Sequence, residues 1–217
     1  MLESYKTVHK GGTGEFIMKK SKFISYVGPA KSEDDALEFI ESIKKKHWDA
    51  SHNCTAYIIG NKNVIERCND DGEPSKTAGK PMLDVLIGQG LTDIVVVVTR
   101  YFGGTLLGTG GLVKSYQSAT IEGLNNSLII EKRLASNIEV LTDYNTIGKI
   151  QYYLASNNYP TIDTIYTDIV KANVLIDSRE TEGFYKKVSE LSYGTALVNE
   201  IEKVYYAKIN NEIHLFK

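Results

Sequence analysis

Cysteine is scarce in this chain: 217 residues contain two, Cys54 and Cys68, and no CxxC pair. That excludes a disulfide scaffold and leaves no structural zinc signature. An excess of one charge is also missing. Lys and Arg total 25 against 27 Asp and Glu, so the net charge is −2, with no basic tail and no global electrostatic case for nucleic acid. Nor is there a run of about 18 apolar residues, and the opening MLESYKTVHK has no apolar signal-peptide core. A membrane span or secretion signal therefore finds no support, and the expectation is a cytoplasmic protein. What is present is ordinary: 42% hydrophobic and 24% charged residues. Such a chain can bury a sizeable core, in one large domain or two small ones.

Four consecutive valines, Val95–Val98, precede Thr99-Arg100. A β-branched run without alternation predicts a strand buried on both faces. Upstream, Glu15–Val27 is rich in β-formers. Ser32, with Asp35 three residues on, resembles a capping box. Ala36, Ile40, Ile43 and His47 follow at helical spacing, so the pattern predicts an amphipathic helix over 33–47. Lys44–Lys46 then sit in its last turn, where cations meet the negative end of the helix dipole. Asn53–Ile59 and Val64–Arg67, around Gly60-Asn61-Lys62-Asn63, predict a hairpin. Met82–Ile87 predicts a short helix, and Leu112–Leu124 a longer one with Leu112, Tyr116 and Ala119 on its apolar face.

Composition shifts near Ile130–Asn137, where Glu131-Lys132-Arg133 reads as a short charged joint. Beyond it come strand 138–141, helix 146–156, strands 161–166 and 170–176, a helix begun near Asp177 and Glu180 and ended by Gly194, and strand 204–209. This β-α-β-β-α-β order is the ferredoxin-like arrangement. The expected fold class is α+β, with domains over 1–133 and 134–217. The first carries 17 basic and 16 acidic residues, the second 8 and 11. Neither is a polyelectrolyte, so a nucleic-acid contact requires a local patch.

Three segments carry candidate chemistry. In Arg100–Leu112 (RYFGGTLLGTGGL), five glycines, Gly103, Gly104, Gly108, Gly110 and Gly111, lie within nine residues between a strand and a helix. Such a unit presents free N–H groups at a helix N-terminus, where anions are favoured. Arg100, Thr109 and Lys114 would complete a nucleic-acid or anion site. The Walker A spacing is absent, and the Rossmann pattern lacks its third glycine. The alternative is a tight loop whose glycines serve packing. The second segment, Asp70–Pro81, places Asp70, Asp71 and Glu73 within four residues. These carboxylates suit a hard cation or acid–base chemistry, or an ordinary turn. In the third, His52 and Cys54 are two apart on a predicted strand, too far for a direct hydrogen bond. A structural histidine and a buried thiol is the alternative to a site pair. The facing of Cys54 and Cys68 depends on a register the sequence leaves open.

Together His52-Asn53-Cys54 with Ala56-Tyr57, the Asp70–Pro81 segment and Arg100–Leu112 resemble the IMPACT/YigZ family over nearly the whole chain. The resemblance implies an N-terminal domain similar to the second domain of ribosomal protein S-five and a ferredoxin-like C-terminal domain. Eukaryotic members regulate translation initiation through an additional N-terminal module that competes for an activator of a stress kinase. The expectation is thus a translation-associated regulator that binds RNA or the ribosome through its Gly-rich loop, with a regulatory protein as a further partner and no cofactor or metal. Two alternatives stay open. One is an enzyme acting on a phosphorylated or carboxylated small molecule, with Asp70, Asp71 or Glu73 as base or metal ligand and His52 or Cys54 nearby. The other is a protein–protein adaptor without an anion site.

Overall fold

The computed structural model describes residues 2–60 and 63–216. It divides into two compact units, 1–131 and 132–217. The first contains β1 (Ser4–Lys10), β2 (Thr13–Met18), β3 (Ser21–Pro29), α1 (Glu33–Lys46), β4 (His52–Ile59), β5 (Ile65–Asn69), α2 (Gly79–Gly88), β6 (Ile94–Tyr101) and α3 (Gly108–Asn125). Its main sheet is antiparallel in the order β2-β3-β6-β4-β5.

The valine strand is central, and its residues from Ile94 to Arg100 are all buried. Side chains alternate across a strand, and here each face has its own cover. Val95 and Val97 pack with Ala36, Ile40 and Ile43 of α1. Val96 and Val98 pack with Met82 and Leu86 of α2 and Leu112, Tyr116 and Ala119 of α3. A sheet covered on both faces needs no polar alternation, which accounts for the uninterrupted run.

Helix α1 begins as the sequence predicts, with Ser32 accepting from the Asp35 N–H and Asp35 accepting from the Ser32 N–H. Helix α3 begins four residues before the predicted Leu112, so Gly108–Gly111 form its first turn. The β4–β5 hairpin forms with Ala56 opposite Cys68, so Cys54 and Cys68 are not directly opposite one another, and both are free thiols. Part of the predicted turn, residues 61 and 62, lies outside the described residues.

The charged joint falls at the division between the two units, but it is strand and not a loop. Glu131-Lys132-Arg133 lies inside β7 (Leu128–Thr142), a continuous 15-residue strand. The second unit continues with α4 (Tyr144–Ser156), β8 (Thr161–Tyr166), β9 (Val170–Asp177), α5 (Thr181–Leu191), β10 (Leu197–Ile209) and β11 (Glu212–Phe216). The order β10-β7-β9-β8 places the first and third strands of the βαββαβ unit at the centre, as a ferredoxin-like sheet requires. β11 adds an outer strand beside β10 that the sequence reading did not include. Ile138, Val140, Val174 and Ile176 meet Ile147, Ile150 and Leu154 of α4 and Phe184 and Val188 of α5 in a separate core.

Candidate functional site

All three candidate segments meet in the first unit. Arg100, two residues beyond Val98, points to the α3 side of the sheet and is only 5% exposed. Its cross-strand neighbours are Phe23 on β3 and His52 on β4. A buried guanidinium needs an anionic partner, and Glu73 supplies it: Arg100 Nη1 lies 2.6 Å from Glu73 Oε1. The same oxygen accepts from the Tyr116 hydroxyl at 2.8 Å. Tyr116 in turn lies 3.3 Å from the Cys54 sulfur, which also reaches the Asp70 carbonyl at 3.0 Å. A buried line thus joins the β4 thiol, the α3 phenol, the loop carboxylate and the β6 guanidinium. Burial pushes both the Cys54 thiol and the Tyr116 phenol well above their ordinary pKa values. Cys54 is therefore held as a thiol, the wrong form for a nucleophile.

The carboxylates of the second segment divide by role. Asp70 accepts from the backbone N–H groups of Lys76, Ala78 and Gly79. It closes its own loop and serves the start of α2, which has no side-chain cap from Ala78. Asp71 accepts from the Asn53 N–H at 2.7 Å and pairs with Lys44 at 3.2 Å. Both fasten the loop to β4 and α1. Glu73 alone turns inward. His52 Nδ1 lies 2.8 Å from the Asp71 carbonyl, which only accepts, so this nitrogen carries the proton. His52 Nε2 lies 3.9 Å from Glu73 Oε1. Among the described residues no cluster of three His, Cys, Asp or Glu side chains could hold a metal ion.

The glycines also divide. Gly103 donates its N–H to Ser21 Oγ at 3.1 Å, and a Cβ there would overlap the Lys20 backbone. That glycine answers to packing. Gly104 and Gly108 have φ of +81° and +72° with open space where a Cβ would sit. Their conformation brings the chain out of β6 and into α3. No side chain caps α3, whose first turn carries N–H groups without intrahelical partners. Gly108 and Thr109 border a cavity of about 570 Å³ whose other walls include His52, Glu73, Pro74, Arg100, Phe102, Leu106, Leu107 and Leu112. Lys114 is exposed. The β2–β3 turn, with Lys19 and Lys20, lies against this loop through Gly103, and Met18 Sδ lies 3.4 Å from Ser115 of α3. Lys22, by contrast, is paired with Glu15 at 2.6 Å.

The Impact N-terminal domain model matches residues 19–124, and a domain of unknown function, DUF1949, matches 140–195. The chain is 41% identical to IMPACT family member YvyE of Bacillus subtilis (strain 168), over 98% of each chain. The chain belongs to the IMPACT family. IMPACT family member YigZ of Escherichia coli (strain K12) is 34% identical, covering 86% of this chain and 92% of that protein. A crystal structure of a hypothetical protein superposes with a TM-score of 0.58 at 32% identity, covering 93% of this chain and 99% of that one.

Two features of this IMPACT family site escaped the sequence reading. Tyr116 was read only as apolar surface of α3, although its hydroxyl donates to Glu73. No local sequence feature connects the Lys19–Lys20 turn with the loop. A signal existed for the Arg100–Glu73 pair. Arg100 lies in phase with Val96 and Val98, so the alternation itself predicts a buried cation that needs a partner.

Proposed function

We propose that this IMPACT family protein is a translation-associated regulator that binds RNA, free or within the ribosome, at the Gly-rich loop of its first unit. The observation that carries the reading is the N-terminus of α3, which no side chain caps and which lies beside the Lys19–Lys20 turn with Lys114 one turn on. Amides and ammonium groups there favour phosphate. Gly104, Gly108, Thr109, Gly110 and Gly111 shape the binding loop, Gly103 anchors it to β3, and Arg100 supports it from below. The regulatory role follows from the family resemblance. No described helix is long and apolar enough to cross a membrane.

A catalytic reading has one supporting observation, the convergence of His52, Glu73 and Arg100 on one cavity. It has less to work with than the binding reading. Asp70 and Asp71 are occupied by backbone groups and Cys54 is held protonated.

The test is filter binding of a single-stranded RNA homopolymer at graded salt. The expected result is binding whose log–log salt slope is near −2, about what three phosphate contacts on a single strand give. Replacing Lys19, Lys20 and Lys114 by Glu together should weaken it by at least about tenfold. No binding at low salt, or equal affinity in the triple variant, would overturn the reading.

A further inference from the structure

Arg100 holds an unusual position for a buried cation. Its side chain is 6% exposed and lines the cavity, yet Nε is buried with no hydrogen-bond partner. A buried donor left unpaired costs stability. Its guanidinium sits about equally far from two aromatic rings, 5.5 Å from the Phe23 centroid and 5.6 Å from that of Phe102. These rings pack around the charge without supplying an acceptor. The second source of positive potential is the start of α3, an 18-residue helix whose first residues, Gly108 and Thr109, border the same cavity. The Arg100 guanidinium and the start of α3 thus border one space from two different elements.

The charge balance narrows what fits. Glu73 already offsets Arg100, so the surplus is roughly the half-charge of a helix N-terminus. A single negative charge matches this better than a double one. The shape narrows it further. Pro74, Phe102, Leu106, Leu107 and Leu112 supply apolar walls. A volume of about 570 Å³ lies within the range of small-molecule sites, which combine apolar walls with a few convergent polar groups.

We propose that this cavity binds a small monocarboxylic acid with an apolar body, its carboxylate received by the first amides of α3 and the Arg100 guanidinium. The inference goes beyond RNA binding and does not require it. Because the carboxylate uses amides that an RNA phosphate would also use, the acid and RNA compete, and occupancy of the cavity regulates the loop.

The test is a titration of the ¹⁵N-labelled full chain with phenylacetate, with acetate and inorganic phosphate run alongside. Saturable shifts are expected at the Gly108 and Thr109 amides and at Arg100 Nε–H. Phenylacetate should bind at least about tenfold more tightly than acetate or phosphate. Arg100→Met combined with Glu73→Gln removes both buried charges together and should weaken binding by about tenfold. Leu106→Trp alters an exposed wall residue, 83% accessible, and should obstruct the cavity while keeping the fold. Absence of saturable shifts up to about 10 mM overturns the proposal. So does equal binding of phosphate, or unchanged phenylacetate affinity in the Leu106→Trp chain. Phenylacetate binding without RNA binding would sink the RNA reading alone, and the reverse would sink this one alone.

Discussion

At the scale of single residues, the carboxylates of Asp70, Asp71 and Glu73 separate into one structural anchor, one tether and one buried counter-ion. Asp70 has the heaviest structural load, because three backbone donors converge on its two oxygens. Charge-assisted bonds of this kind are stronger than neutral ones. Asp70→Ala leaves those N–H groups without their acceptor and removes a cap from α2, an expected loss of about 3 kcal/mol. Urea unfolding followed by circular dichroism measures it, and a loss below about 1 kcal/mol would show that water replaces the carboxylate. Glu73 differs in kind. It neutralises Arg100 inside the fold, and removing one member alone strands the other charge.

At the scale of elements, α1 ends on His47, which ties the helix to the sheet. Its Nε2 lies 2.6 Å from the Tyr26 hydroxyl and its Nδ1 2.9 Å from that of Tyr101. Tyr101 donates onward to Asp49, so its oxygen accepts from Nδ1–H, and Nε2 accepts from Tyr26. This bonding suits a neutral ring. Burial, and then the neighbouring Lys46, hold the His47 pKa below its ordinary 6.5. The folded state therefore binds fewer protons than the unfolded one between the lowered pKa and 6.5. Its contribution to stability is complete above that window and is lost as pH falls through it. The expected result is a lower urea midpoint at about pH 5.5 than at about pH 7.5, with a smaller difference in His47→Gln. An unchanged difference in the variant would assign the pH dependence to other groups.

At the scale of the whole molecule, each unit has its own core. The first is organised on both faces of β6, and the second between the ferredoxin-like sheet and α4 with α5. Ile150 is fully buried in the second core. Ile150→Ala should cost about 3 kcal/mol, read as faster hydrogen exchange of β9 and α4 amides while β6 amides keep their protection. Equal acceleration in both units would show a single cooperative structure instead. The molecule is net −2, so the proposed phosphate binding draws on the few cations beside α3 and not on its overall charge.

Much of the architecture was legible because burial leaves a local trace. β8 occupies the predicted 161–166, and the capping box starts α1 where expected. Boundaries failed where tertiary packing overrides local preference. Glycines are poor helix formers, so the start of α3 was placed late. The charges of Glu131-Lys132-Arg133 hid the middle of β7, where three polar residues, Lys132, Ser136 and Asn137, are buried.

The sequence by itself determined the α+β order of elements and the doubly covered valine strand, and it marked the three candidate segments, since periodicity and capping act over a few residues. Only the tertiary structure decided that Glu73 meets Arg100, that Asp71 ties its loop to Asn53 of β4, and that the Lys19–Lys20 turn lies beside the glycines. Those pairings join elements through contacts between residues 18, 27 and 82 positions apart. No local pattern encodes them, because they arise from which strands become neighbours in the sheet.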